Sequence, residues 1–412
     1  MKSNNSRSAP TGWNLKKLGD LGLFLKGKGI LKEQLSTTGL PCIRYGEIYT
    51  THDYKIKDFH SFISRGVAQE SERIFHNDIL FAGSGETLEE IGKAVAYTGD
   101  AEAYAGGDIV ILRTKKENSA EYLVYALNTN TANRQKRKLG QGHSVVHIYS
   151  SDLKELVIPI PPLLEQKKIA LILSTWDKAI EKTEQLIAKK QQLKKGLMQQ
   201  LLTGKVRFKE FVKSKSRGVG EFHDWARGPL KNFIDLISGQ HLESAEYHNV
   251  PGHGIPYFTG PTDFTESILG VQKWTGKEKK SASNGDVLVT VKGSGVGQIH
   301  RLKLGQPVAI GRQLMAVRGI EADNGFLFYL MLTKSHQLEI LSRGNMIPGV
   351  TRDDILSLKS YLPPVPEQYR MSQVLETIDL EVRLLNSNIK ELRMQKNGLM
   401  QSLLTGDVRV RI

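Results

Sequence analysis

Side chains that make directional hydrogen bonds gather beside glycines in a handful of short stretches. In the first half these are "IRYGEI" (43–48), "AGSGE" (82–86) and "RQKRKLGQGHS" (134–144), and in the second "FTGP" (258–261), "VKGSGVG" (291–297), "IGRQL" (310–314) and "SRGNM" (342–346). Arg, Gln, Asn, Ser and Thr on inter-strand loops suit readout of base edges, whereas Lys, Arg and backbone amides suit phosphate. Arg44, Ser84, Glu86, Gln141, His143 and Ser144 are the base-reading candidates of the first half, with Lys136, Arg137 and Lys138 as phosphate contacts. Thr259, Lys292, Ser294, Arg312, Gln313 and Asn345 are those of the second. Arg312-Gln313 pairs a residue suited to guanine with one suited to adenine. Two plainer readings stand beside these: a solvated helix end for the basic run, and an ion pair of Arg312 with an acid such as Asp286.

Other chemistries fit poorly. "GLFLKGKG" (22–29) nearly matches a P-loop, but Gly29 stands where Ser or Thr should meet magnesium. In "GSGVG" (293–297) the third glycine comes too early for a dinucleotide fingerprint. His223, His241, His248 and His253 fit no familiar ligand spacing, so no metal is expected. The expectation is a chain without catalytic residues or a cofactor of its own.

Lys and Arg number 57 against 43 Asp and Glu, and the net charge of +14 favours a polyanionic partner. Cys42 is the sole cysteine, which excludes an intrachain disulfide and points to a reducing compartment. "MKSNNSRSAP" lacks an apolar signal core and "FLFYLML" (326–332) is too short to span a bilayer, so a cytoplasmic location without membrane attachment is expected.

The elements that must position these loops are announced by a repeat. "GLMQQLLTGKVRF" (196–208) returns as "GLMQSLLTGDVRV" (398–410), identical at 10 of 13 positions and displaced by 202 residues. The same displacement carries "PPLLEQKKIALIL" (161–173) onto "PPVPEQYRMSQVL" (363–375). Ile169, Leu173, Trp176, Ile180, Thr183, Ile187, Lys190, Lys194, Leu197 and Leu201 alternate spacings of four and three, a heptad seam apolar at seven of ten positions. Its counterpart, Met371, Leu375, Ile378, Val382, Leu385, Ile389, Leu392, Lys396, Leu399 and Leu403, is apolar at nine of ten.

Each seam starts after a proline pair and stops at Thr-Gly, predicting two helices of about 40 residues and roughly 60 Å. The connectivity favours antiparallel packing of the pair about a pseudo-two-fold. The predicted fold class is α+β: a first domain over 1–160, a long spacer helix over 161–204, a second domain over 205–362, and a second long helix with the C-terminal tail over 363–412. Between the helices the displacement drifts, from 212 at Trp13 and Trp225 to 208 at Asp78 and Asp286. The globular parts therefore share a plan and differ in their loops.

The paired Pro161, Pro162, Glu165, Gln166 and Pro363, Pro364, Glu367, Gln368, the heptad helices and the closing "GLMQ-x-LLTG-x-VR" resemble the conserved regions of type I restriction-modification specificity subunits. "GETLEEIGKAVAY" (85–97) and "DVLVTVKGSGVGQIHRLKLGQPVAIGRQLMAVR" (286–318) resemble that family's target-recognition domains. The resemblance implies a non-catalytic subunit in which each domain reads half of a bipartite site in double-stranded DNA and the helices rule off the spacer. It further implies two copies of an adenine-methylating subunit docked along the frame and restriction motor subunits beside them. S-adenosylmethionine, ATP and Mg would then belong to those partners. Gln166 and Gln199-Gln200 are candidates for subunit docking. The alternative from a different class is a two-headed coiled-coil adaptor that binds proteins and has no DNA specificity.

Overall fold

Two helices form where the heptads predict them, Leu163–Leu201 and Val365–Thr405, in a computed structural model that describes residues 10–142, 145–212, 224–344 and 349–412. All twenty seam positions are buried or half-buried, whereas Lys167, Glu184, Gln185 and Lys189 between them are exposed. A 3.5-residue apolar period keeps the seam on one stripe, and where a head packs against the helices Ala170, Ser174, Met400 and Leu404 beside it are buried as well. Past the helix ends, Gly204 and Gly406 turn left-handed at φ +66° and +76°. The amides of Val206 and Val408 then close back on the carbonyls of Gln200 and Ser402, at 3.2 and 3.1 Å.

The chain divides into two compact units that cut across the four expected segments. The first takes residues 1–184 and 388–412, and the second 185–387, so each holds one globular head and half of each helix. In the first unit Glu184 pairs with Arg393, Asp177 with Lys396, and Glu165 with Arg409. One residue number rises as the other falls, which defines antiparallel packing. In the second unit Lys190 pairs with Glu381, Lys194 with Asp379, and Arg207 with Glu367. A displacement of 202 converts Asp177–Lys396 into Asp379–Lys194, and Glu165–Arg409 into Glu367–Arg207. The repeat thus extends to the contacts.

The heads are built on matching sheets. In the first, a five-stranded sheet runs in the order Gly22–Lys26, Ile109–Thr114, Asp78–Ala82, Ala94–Tyr97, Lys55–Ile56. A second sheet runs Ser61–Ile63, Leu40–Ile43, Ala103–Ala105, Glu72–Ile74. The second head has Ile234–Ser238, Leu314–Gly319, Val287–Thr290, Ile299–Arg301 and, beside it, Trp274–Thr275, Ile255–Phe258, Val308–Ile310, Ser281–Ala282. In both, the middle of the smaller sheet is a parallel pair, Leu40–Ile43 with Ala103–Ala105 and Ile255–Phe258 with Val308–Ile310. Strands such as Asp78–Ala82 and Val287–Thr290 are buried along their whole length, as expected where both faces are covered.

Head and helices share a core in each unit. Trp13, Tyr122 and Leu153 pack with Ile169, Leu173, Leu403 and Leu404 in the first, and Trp225, Phe326 and Ile355 with Leu201, Met371 and Leu375 in the second. Polar ties repeat as well. Gln166 accepts from the Ser119 amide at 2.8 Å and donates to the Pro161 carbonyl at 2.9 Å. Gln368 does the same with Asp323 and Pro363, at 2.9 and 2.7 Å. Gln166 is buried, so the expectation that it docks a partner is corrected: its amide is spent fixing the helix start to the head. Gln199 and Gln200 are exposed.

Candidate nucleic-acid interface

Three loops of each head are pinned together by the same backbone hydrogen bonds. In the first head the Gly83 amide donates to the Asp108 carbonyl at 2.7 Å, Ile148 to Gly83 at 2.9 Å, and Gly106 to Ile43 at 2.9 Å. In the second, Val291 donates to Gln313 at 2.8 Å, Val350 to Val291 at 2.8 Å, and Gly311 to Phe258 at 2.8 Å. A fourth bond runs from Lys28 to Ala105 and from Gln240 to Ile310, and a fifth from Gly27 to Ile109 and from Gly239 to Leu314. Gly27 and Gly239 are glycines because a Cβ there would overlap the carbonyl oxygen of Gly106 or Gly311.

Side chains at this common junction differ. Arg44, Ser84, Gly107 and Asp108 in the first head stand where the second has Thr259, Lys292, Arg312 and Gln313. In the second head the Gln313 amide lies in a slot between two glycines: a Cβ on Gly260 would come within 2.7 Å of its Oε1, and one on Gly293 within 3.7 Å. Lys292, Ser294, Arg312 and Gln313 are exposed around it. Thr259 is half-buried, its hydroxyl donating to Asp263 at 2.6 Å and lying 2.8 Å from Lys273 Nζ. Asp286 is paired by Arg318, at 3.0 and 2.7 Å, so the ion pair considered for Arg312 is taken by another residue. The first head repeats it as Arg113 on Asp78.

The family description "Type I restriction modification DNA specificity domain" matches residues 10–192 and again 223–394. The chain belongs to the type I restriction-modification specificity subunits. It is 25% identical over 436 residues to the type I restriction enzyme MjaVIII specificity subunit of Methanocaldococcus jannaschii, covering 98% of this chain and 94% of that one. A second chain of the same organism is 30% identical over 414 residues, 98% of this chain and 95% of its own. The solved S subunit of a type I restriction-modification system from M. genitalium shares the fold, with a TM-score of 0.64 at 16% identity and 98% of each chain covered.

In this specificity subunit the remaining expected site residues scatter. Glu86, Gln141, Arg137 and Lys138 are exposed, and Arg44 is half-buried. Gln141 exchanges backbone hydrogen bonds with His147, at 2.9 and 2.7 Å, which sets it beside the 83–86 loop. Two candidates are corrected. Ser84 is 3% exposed and its hydroxyl meets His147 Nδ1 at 2.9 Å, which places it beneath the surface.

Lys136 is 1% exposed and donates to the Gly92 carbonyl at 2.8 Å. Burial pushes its ammonium down to about 7, so it is an interior strut and no phosphate contact. Arg137 and Lys138 occupy the last turn of the helix Asn130–Leu139, where cations offset the dipole. His143, Ser144, Asn345 and His223 lie outside the described residues. Among the described residues no group of three or more His, Cys, Asp or Glu could hold a metal ion, and no helix is long and apolar enough to cross a membrane. Gly107-Asp108 escaped notice in the sequence, although aligning "DIVILRT" with "QLMAVRG" puts Asp108 opposite Gln313.

Proposed function

We propose that each head reads one half of an asymmetric bipartite site in double-stranded DNA, while the helix pair sets the gap and carries the partner subunits. One observation supports this above the rest: the two loop junctions share a backbone scaffold and present different side chains. Equivalent hydrogen-bonded scaffolds with unlike tips are what two recognition tasks on a repeated frame require, and unlike tips call for unlike half-sites. The net charge of +14 suits a duplex partner.

Two adenine-methylating subunits, one for each repeat, dock on the outer helix faces in this reading, joined by restriction subunits. Leu171, Leu193, Leu384 and Met394 are apolar side chains exposed by half or more on those faces. Methyl transfer and translocation then belong to the partners, with S-adenosylmethionine, ATP and Mg bound there, and this chain performs no covalent step. The setting is the cytoplasm, where the DNA lies.

The test is single-molecule detection of methyladenine in host DNA with and without this gene. Loss of one motif made of two unlike halves and a fixed gap is the expected result. Persistence of every motif while the methylating partner is expressed would overturn the DNA reading in favour of a protein adaptor.

A further inference from the structure

We infer that the two-residue turn Gly107-Asp108 in the first head and Arg312-Gln313 in the second are the matched positions at which the heads choose different bases; this rests on the DNA reading above. The turn is the most closely fixed of the variable places. In each head the turn and its neighbours are held by four equivalent backbone hydrogen bonds: residues 105 and 109, or 310 and 314, bond the loop at 27–28 or 239–240, residue 106 or 311 bonds Ile43 or Phe258, and Asp108 or Gln313 bonds the loop at 83 or 291. A backbone so placed presents whatever side chain it carries at one point, which base-edge readout needs.

Of the other matched pairs at the junction none is exposed in both heads: Lys292 is exposed but its counterpart Ser84 is buried, and Arg44 and Thr259 are half-buried. Ser84 is buried against His147, and the Thr259 hydroxyl is committed to Asp263 and Lys273. Asp108, Arg312 and Gln313 are all exposed. Asp108 also holds φ at +59°, a left-handed conformation that aspartate tolerates better than bulkier residues. That geometry keeps the turn in place without a second glycine and leaves a carboxylate where the second head has an amide.

The chemistry of the two turns is opposite. An ionised carboxylate only accepts, so Asp108 calls for a donor, and the cytosine N4 amino group is the base edge that suits it in the major groove. A guanidinium only donates, and its fork fits guanine O6 and N7. Gln313, wedged between Gly260 and Gly293, holds the Arg312 turn against its neighbouring loops and presents one donor and one acceptor. The first half-site therefore contains a cytosine under Asp108, and the second a guanine under Arg312.

Variants expressed with the partner subunits in a host lacking its own copy, and read by methyladenine sequencing, test this. Arg312→Ala should relax one G·C pair in one half-site, lowering discrimination there roughly ten- to a hundredfold, with the other half-site and the gap unchanged. Asp108→Ala should do the same at one cytosine of the opposite half-site. The untouched half-site reports that the subunit still folds and assembles. Should either alanine variant abolish methylation, Arg312→Gln and Asp108→Asn replace it, and both should shift preference toward adenine. A wild-type motif from these variants overturns the inference. If deleting the gene removes the motif while the turn variants leave it intact, the assignment of the turns fails and the DNA reading stands; if deletion changes nothing, the reading itself fails.

Discussion

Lys396 and Lys194 make one contact at two depths. Lys396 is 7% exposed, pairs with Asp177 and lies 4.0 Å over the Tyr54 ring, while Tyr125 donates to the same carboxylate at 2.5 Å. Lys194 is 21% exposed, reaches Asp379 at 2.6 Å, and that carboxylate also accepts from Tyr329 at 2.7 Å. Removing one partner of a buried pair leaves a desolvated charge, whereas water compensates a more open one. Lys396→Ala should cost about 3 kcal/mol and Lys194→Ala about 1 kcal/mol by denaturant unfolding. Equal costs would show that depth is irrelevant.

Lys136 supplies a pH test. Its folded value is pushed down to about 7 from an ordinary lysine value, so between those pH values the unfolded chain binds more protons. Stability relative to Lys136→Met must therefore rise as pH goes from about 7 to 10, measured by melting both proteins across that range. A flat difference would mean the ammonium stays charged in the folded state.

At the scale of elements, the repeated motif proves to be one clamp. The guanidinium of Arg409 forks onto Glu165 at 2.6 and 2.7 Å and lies 5.5 Å over Trp13, while Arg207 forks onto Glu367 at 3.0 and 2.7 Å and lies 5.6 Å over Trp225. Thus the Glu of "PP-x-x-EQ" and the Arg of the closing "VR" bind each other, and the Gln binds the head. The heptads were legible because their period is local; the clamp was not, because Glu165 and Arg409 stand 244 residues apart. In a ruler built from helices, seven residues added to each, after Glu184 and after Ser387, keep the seam in phase and lengthen each by ~10.5 Å. The methylated motif should keep both halves and gain about three base pairs of gap, at 3.4 Å per step. An unchanged gap would rule out the helices as its measure.

For the whole molecule, charge should govern affinity. Binding of the assembled complex to its duplex should fall linearly on a log-log plot against salt, with a slope of about −0.9 per neutralised phosphate. Arg137→Gln and Lys138→Gln should each flatten that slope by about one if the basic helix end meets the backbone. An unchanged slope assigns these cations to solvent, the plainer reading of an exposed last turn.

The sequence by itself determined the number of heads and the seam of the helices, because these are written in a repeat and in a local period; connectivity favoured the antiparallel sense, and the motifs at the helix ends carried the resemblance to the family. Only the tertiary structure decided which loops meet. Residue 27 meets 109, 43 meets 106, and 83 meets both 108 and 148, across segments distant in sequence, and no local pattern records such partners. It also decided that Lys136, Ser84 and Gln166 lie inside. Charge and polarity predict exposure only on average; a polar group enters the interior when a partner satisfies it, and Gly92, His147 and Ser119 do so from elsewhere in the chain.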